Sequence, residues 1–175
     1  FSVNRSTSAG STGPTIEQPS AIEIAEFTTG LWALASRSSQ SRLTFARCGV
    51  IDPRSIKAYR AHDGYKGLER ALTLTPDEIL ADVTASGLRG RGGAGFSSGK
   101  KWQMCREAQG EAHYVVCNAD EGEPGTFKDR VLLTSYADEV FEGMTLCARI
   151  IGARKGIVYL RGEYRYLLKH LLKVL

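Results

Sequence analysis

Residues 86–102 read S-G-L-R-G-R-G-G-A-G-F-S-S-G-K-K-W, and this stretch decides how the rest of the chain is interpreted. It holds six glycines and four basic residues. Glycine permits positive φ and lets backbone N–H groups approach a ligand with no Cβ in the way. Cations beside such a loop favour an anion such as a phosphate. The stretch therefore predicts a phosphate-bearing cofactor lying on a glycine-rich loop.

Two alternatives bear on this loop. The P-loop spacing G-x-x-x-x-G-K-[ST] is not matched, which argues against a nucleotide hydrolase of that type, and we do not assign residues 90–95 to the dinucleotide-binding fingerprint. A flexible linker is the other interpretation, because linkers are also rich in glycine. Phe96, Trp102 and the arginines within the same stretch favour a binding loop.

A second stretch follows a short apolar segment. Residues 113–117 predict a buried strand, which runs directly into N-A-D-E-G-E-P-G-T-F-K-D-R at residues 118–130. Four carboxylates and one carboxamide crowd the end of this strand. Ligands of open α/β sheets bind at the carboxyl ends of the strands, and Asn and Asp can hydrogen-bond a heterocycle or a ribose there. A solvated acidic turn is the plain alternative.

Together, residues 87–102 and 117–130 resemble the family of flavin-bearing NADH dehydrogenase subunits. This family includes the FMN subunit of respiratory complex I, the diaphorase subunit of NAD-reducing hydrogenases and the beta subunit of NAD-dependent formate dehydrogenases. The resemblance extends from about residue 47 to residue 175, and the segment around residues 48–68 resembles the hydrogenase and formate dehydrogenase branch more closely. It implies that FMN is the cofactor and that NADH stacks on the flavin.

The resemblance also implies roles for individual residues. FMN contacts are expected at Gly90, Arg91, Gly92, Gly93, Ala94, Gly95, Lys101, Asn118, Asp120 and Glu121. Phe96 is expected to stack on the NADH adenine, and Glu123 to lie near the bound nucleotide. Arg91 as a solvated loop cation and Glu123 as a turn residue are the alternatives. No catalytic acid or base is expected, because the cofactors themselves carry the hydride transfer.

The fold class implied is α/β, with the Rossmann-like parallel sheet of the FMN-binding domain, incomplete in this chain. Residues 1–47 are expected to be a disordered extension or the remnant of an upstream domain, 48–88 a helical lead-in, and 89–175 the first half of the FMN- and NADH-binding domain. The patterns predict strands over 114–117 and 155–160, and helices over 101–107, 126–134, 138–151 and 164–175. Thr75, Pro76 and Glu78 predict a helix start with a capping box.

Composition narrows the classes further. The net charge is +4 with both signs interspersed, which does not indicate a nucleic-acid partner. No apolar run approaches the roughly 20 residues of a membrane span, and we see no signal peptide, so the expected location is cytoplasmic. The cysteines at 48, 105, 117 and 147 form no C-x-x-C and predict no metal site. The [4Fe–4S] cluster expected in the full-length family finds no ligands in this sequence.

The predicted function is therefore an FMN-containing NAD(H) dehydrogenase, or diaphorase, module. It passes electrons between NAD(H) and the iron–sulfur subunits of a hydrogenase or formate dehydrogenase complex. The alternatives are the FMN subunit of respiratory complex I and a truncated, non-catalytic structural subunit. The second flavin and nucleotide segment of the family is not found here, which predicts an FMN pocket open on one side.

Overall fold

The computed structural model of this chain describes residues 45–175. Residues 50–175 form one unit, while residues 1–49 belong to another, of which only 45–49 are described. The expectations for residues 1–44, a disordered extension or the remnant of another domain, therefore lie outside the described residues. The proposed division at residues 47 and 88 remains a prediction.

Helices alternate with two strands in residues 50–175. In chain order the elements are α1 (Ile56–Ala61), α2 (Lys66–Thr73), α3 (Pro76–Ala85), α4 (Ser98–Glu107), β1 (Tyr114–Ala119), α5 (Lys128–Ser135), α6 (Ala137–Ile151), β2 (Lys155–Leu160), a 3₁₀-helix (Gly162–Leu167) and α7 (Leu168–Val174). The predicted α/β class is confirmed by this order, and the helices α5 and α6 connect the two strands.

The two strands pair in parallel, in a register that aligns Tyr114 with Lys155 and Ala119 with Leu160. Parallel pairing requires a crossover connection, which α5 and α6 supply. Gly152 ends α6 with φ 73°, a left-handed conformation that glycine adopts without strain, and the chain then turns into β2. The carboxyl ends of both strands consequently lie at the same edge of the sheet.

One face of the sheet is covered and the other is open. In β1 the covered side carries Val115, Cys117 and Ala119, which pack against the helices. The opposite side carries Tyr114, Val116 and Asn118 from β1 and Ile157 and Tyr159 from β2. The four apolar or aromatic side chains of this open face are 44–60% exposed.

Two apolar clusters form the core of residues 50–175. The first contains Ala119, Leu133, Ala137, Tyr164, Leu167 and Leu171, and the second contains Ala71, Ile79, Val115, Ile150 and Ile151. Strand β1 and helix α6 each contribute to both clusters. Leu133 and Ile150 are each 1% exposed, and burying such a side chain stabilises the fold by about 2 kcal/mol. Helix α6 and strand β1 are therefore the common centre of the packing.

The boundaries predicted from sequence hold best where local signals are strong. Strand β2 has the predicted bounds, and the capping box of α3 is present: the Thr75 hydroxyl accepts from the Glu78 amide, and the Glu78 carboxylate accepts from the Thr75 amide. Helix α4 begins at Ser98, three residues earlier than predicted, because the Ser97 hydroxyl caps it. The predicted helix over 164–175 was wrong in its first turns, which form the 3₁₀-helix before α7.

No helix within residues 45–175 is both long and apolar enough to cross a bilayer.

The lead-in helices α1 and α2 are tied to the sheet unit through α6. The carboxylate of Glu142 in α6 accepts hydrogen bonds from the Tyr59 hydroxyl at 2.6 Å and from the amides of Tyr65 and Leu68 at 3.0 Å each. The residue that precedes α2, Tyr65, makes no side-chain cap of its own. Glu142 therefore caps α2 from another helix.

We expect Glu142→Gln to lower the free energy of unfolding by about 1–3 kcal/mol, because an amide group would then face backbone donors that a carboxylate satisfies. Urea unfolding followed by circular dichroism measures the loss. The exposed Glu69, in α2 itself, supplies the matched control Glu69→Gln. Equal stability of the two variants would contradict the capping role of Glu142.

Candidate functional site

The glycine-rich stretch forms a closed loop between α3 and α4. Its neck is held by main-chain hydrogen bonds from Ser98 N to Leu88 O at 2.9 Å and from Gly90 N to Phe96 O at 2.8 Å. A bridge pairs Arg89 with Ser97 between them. The tip, residues 91–95, projects from this neck. The loop is thus a defined hairpin-like structure, in keeping with a binding loop, and not a linker.

The tip presents bare main chain. A Cβ added at Gly92 or Gly93 would meet no atom within 4 Å, and neither residue has positive φ. Gly95 does have positive φ, at 54°, so its glycine is explained by the turn. Gly99 is explained by packing, because its Cβ would lie 2.9 Å from the Cα of Thr84. Packing and backbone conformation within the described chain do not explain glycine at 92 and 93.

The loop opens directly into the N-terminus of α4. Lys100 and Lys101 lie in the first turn of this ten-residue helix and are exposed, as are Arg89, Arg91 and Ala94. The helix dipole favours an anion at a helix start, although the Ser98 amide here already donates to Leu88 O and the Lys100 amide to the Ser97 hydroxyl. The main chain of the tip, these cations and the helix start together fit the phosphate end of a nucleotide.

The spacing of Gly90, Gly92 and Gly95 is G-x-G-x-x-G, but its surroundings differ from those of the dinucleotide fingerprint. That fingerprint follows a strand and opens a helix within a βαβ unit. Here the loop follows α3, a helix, and lies before β1 in the chain. The structural context, rather than the spacing, separates this loop from that fingerprint.

The acidic turn begins where β1 ends. Asn118 is exposed on the open face of the sheet, and its Oδ1 accepts from the Asp120 amide at 3.2 Å. Asp120 and Glu123 are also exposed. The Glu123 carbonyl accepts from the Thr126 hydroxyl at 2.6 Å, which fixes the turn that precedes α5. Asn118, Asp120 and Glu123 are therefore available to a ligand at this edge of the sheet.

Glu121 differs from its neighbours because its carboxylate is directed inward. The residue is 9% exposed and has φ 43°. Its oxygens accept from the Asp129 amide at 2.7 Å, the Arg130 amide at 3.2 Å and the Tyr164 hydroxyl at 2.6 Å. Its side chain thus holds the start of α5 and the 3₁₀-helix, whereas the resemblance implied a direct flavin contact.

These contacts also set the protonation of the pair. Burial alone would raise the pKa of Glu121, but the hydrogen bonds from Tyr164 and from the α5 amides lower it below its ordinary value. Burial and the adjacent carboxylate raise the pKa of Tyr164 to about 12. At neutral pH, Glu121 is therefore an ionised acceptor and Tyr164 a neutral donor.

Arg161 is a site residue for which the sequence analysis assigned no role. It follows β2, and its amide continues the strand pairing by donating to Ala119 O at 3.0 Å. Its guanidinium donates to the main-chain carbonyls of Asp120 and Glu121 and to the Glu163 carboxylate. Strand pairing could have identified Arg161, because the residue that follows β2 must lie beside the residue that follows β1.

The glycine loop and the acidic turn belong to different parts of the fold. The loop leads into α4, whose Trp102 and Cys105 pack in the same cluster as Val115 of β1. The acidic turn follows the carboxyl end of β1, whereas Val115 lies near its amino end. Helix α4 and strand β1 share this cluster, but among the described residues no hydrogen bond joins the loop tip at residues 91–95 to the acidic turn at residues 118–130.

The four cysteines at 48, 105, 117 and 147 all lie within the described residues. None of the four cysteines forms a disulfide, and all four are half-buried. Burial raises the pKa of Cys117 and of Cys147. Within residues 45–175 no group of three or more His, Cys, Asp or Glu side chains is placed to hold a metal ion. Cys117 and Cys147 instead pack against the two apolar clusters.

Comparison with known proteins finds relatives among the subunits of NAD-reducing hydrogenases and NADH-quinone oxidoreductases. The chain is 61% identical, over 104 residues, to the NAD-reducing hydrogenase HoxS subunit alpha of Cupriavidus necator, which covers 59% of this chain and 17% of the relative. It is 49% identical, over 116 residues, to an NADH-quinone oxidoreductase subunit of Rhizobium meliloti, covering 66% of this chain and 28% of the relative. The chain thus spans less than a third of the length of these relatives.

A solved structure and a protein family agree with these relatives. The crystal structure of an NAD⁺-reducing [NiFe]-hydrogenase in the H₂-reduced state matches with a TM-score of 0.59 and 42% identity, over 86% of this chain and 27% of that one. Residues 83–175 match the family described as the Nuo51 FMN-binding domain. The match begins in α3 and includes the glycine loop, the acidic turn and both strands, and the chain therefore belongs to the Nuo51 FMN-binding domain family.

Proposed function

We propose that this chain carries an FMN- and NAD(H)-binding site of an NAD(H) dehydrogenase, or diaphorase, that exchanges electrons with iron–sulfur subunits. The observation that carries the proposal is the glycine tip. Its main chain at Gly92 and Gly93 is bare for no reason found within residues 45–175, and it stands beside cations and a helix start. This is the arrangement that a flavin phosphate needs if it is to approach backbone N–H groups closely.

The proposed FMN-binding residues lie in the glycine loop and α4 on the one hand and in the acidic turn on the other. Residues 90–95 offer the main chain of the loop, and Arg91 and Lys101 offer charge to the cofactor. Asn118 and Asp120 offer side-chain donors and acceptors at the edge of the sheet. Glu121 is proposed to act at this edge by holding the turn, since its oxygens already bind α5 and Tyr164.

Phe96 and Glu123 are proposed to serve the second nucleotide. Phe96 is 47% exposed at the neck of the loop, so its ring is free to stack on an adenine. Glu123 is exposed in the acidic turn and is a candidate to accept hydrogen bonds from ribose hydroxyls. If bound here, FMN would supply the chemistry that connects hydride transfer from NADH to single-electron transfer. The protein's part is orientation of the two rings and exclusion of water, with no catalytic acid or base.

The relatives favour one branch of the proposal. A hydrogenase-type partner is preferred over respiratory complex I, because identity reaches 61% to one hydrogenase subunit and 49% to a quinone oxidoreductase subunit, while a second hydrogenase subunit is 45% identical. A formate dehydrogenase partner stays part of the proposal on the sequence resemblance alone. A reducing, cytoplasmic setting is also proposed, which suits cysteines that form no disulfide. Mass spectrometry of the polypeptides that co-purify with the native protein separates these partners.

We expect the native protein to be yellow, with flavin absorbance, and to reduce ferricyanide with NADH. Intact mass is recorded on the same sample, because residues 1–175 alone account for 19.1 kDa. Removing FMN by acid precipitation should abolish the activity, and added FMN should restore it. Colourless protein that does not bind added FMN would contradict the proposed function.

We expect Gly92→Ala and Gly93→Ala to leave folding unchanged, because the new methyl group meets no atom of the described chain. Each should weaken FMN binding by about tenfold, because the methyl group stands between the backbone and the ligand. Fluorescence titration of the apoprotein with FMN measures the change.

The matched control is Gly143→Ala, which lies in α6 and also meets no atom within 4 Å. It should raise stability slightly, by about 0.5–1 kcal/mol, because alanine favours a helix over glycine. FMN affinity should stay at the wild-type value. Weakening by Gly143→Ala as strong as that at the loop would show that the loop glycines are not specific contacts.

A further inference from the structure

The R-G-E-Y segment at residues 161–164 stands beside the proposed flavin site without a role in it. Arg161 lies next to the acidic turn because its amide extends the pairing of β1 and β2. Its guanidinium donates to the carbonyls of Asp120, at 3.3 Å, and of Glu121. One arginine thus holds two consecutive peptide groups of the turn.

These peptide groups need to be held, because Glu121 has φ 43°. A side chain other than glycine in this region costs of order 1 kcal/mol or more, and it persists only where the surroundings fix it. Arg161 fixes the carbonyl of Glu121. The Tyr164 hydroxyl, itself on a residue 9% exposed, fixes the carboxylate at 2.6 Å.

The conformation of Glu121 determines what the turn shows to solvent. With the Glu121 carboxylate turned into the protein, Asn118 and Asp120 are left exposed at the carboxyl edge of the sheet. If Glu121 relaxed to a right-handed conformation, its carbonyl would rotate away from Arg161 and the Asp120 peptide would turn with it. The Asp120 amide, which donates to Asn118 Oδ1 at 3.2 Å, would then move, and both side chains would lose this constraint.

We propose that Tyr164 and Arg161 are positioning residues of the flavin site, which lock the left-handed turn at Glu121 and thereby orient Asn118 and Asp120. This inference rests on the proposed function. Neither residue needs to touch the cofactor, since both act through the backbone and the carboxylate of Glu121. Tyr164 has a second, structural role in the first apolar cluster, which the experiment must separate from positioning.

The test uses the variant Tyr164→Phe. The protein is purified from its native host as the intact complex, together with the polypeptides that accompany it. The ring and its packing remain, and only the hydroxyl that binds Glu121 is lost. We expect the dissociation constant for FMN to rise about tenfold. Tyr166→Phe is the matched control, since Tyr166 lies in the same 3₁₀-helix with its ring edge towards Tyr164 and is 46% exposed. It should bind FMN as the wild type does.

The pH profile of FMN affinity separates positioning from packing. Glu121 is faced by Lys128, Asp129 and Arg130 from α5 and by Arg161, Tyr164 and Tyr166 after β2. The carboxylate accepts from its partners more strongly when ionised, so FMN affinity falls as the pH drops through the pKa of Glu121. Loss of the Tyr164 donor raises that pKa, and the acid limb should therefore move to higher pH in Tyr164→Phe and stay in place in Tyr166→Phe.

Arg161→Lys provides a second variant, which carries the test if Tyr164→Phe does not fold. It keeps the charge but removes the guanidinium geometry, and FMN affinity should again fall severalfold. Because both residues hold one turn, the double variant should lose less affinity than the product of the single losses.

Three results overturn the positioning proposal alone: wild-type affinity in both single variants, equal losses in Tyr164→Phe and Tyr166→Phe, or a double variant that matches the product. A wild-type protein with no affinity for FMN overturns the proposed function and the positioning together.

Discussion

Parallel pairing of β1 with β2 is the constraint on which the rest of this structure depends. It demands a crossover, and α5 and α6 provide it while covering one face of the sheet. It also brings the two carboxyl ends to one edge. The acidic turn and the R-G-E-Y segment meet for this reason alone, since 40 residues separate Glu121 from Arg161 along the chain. The proposed ligand edge is therefore a direct product of strand direction.

Two glutamates do similar work on the covered side of this framework. Glu121 binds the first amides of α5, and Glu142 binds those at the start of α2. Neither Phe127 nor Tyr65, the residues that precede these helices, caps them with its own side chain. A carboxylate from a distant element both satisfies the orphan N–H groups and links two segments. In both places, a single hydrogen-bonded carboxylate therefore caps a helix and makes a tertiary contact.

The sequence predicted elements where local signals decide them. Strand β2, the capping box at Thr75 and the closed glycine loop follow from such signals. The side chain of Glu121 is directed into the protein, and its predicted flavin contact stays a prediction. Val115, Cys117 and Ala119 alternate onto the covered face, but β1 ends at Ala119 and Glu121 has φ 43°, so the strand period does not extend to it. The inward carboxylate and its contact with Tyr164 could not be predicted from local pattern, because they depend on the left-handed turn and on the pairing of distant strands.

The glycines of the loop separate into those that the chain needs for its own sake and those that it does not. Gly99 is needed because Thr84 packs against it, and Gly95 because its φ is positive. Gly92 and Gly93 answer to neither requirement, yet glycine raises the entropic cost of ordering a loop. Retaining that cost is reasonable where an outside atom must come within contact distance of the peptide. The bare main chain at Gly92 and Gly93 therefore leaves room for the close approach that the proposed phosphate contact requires.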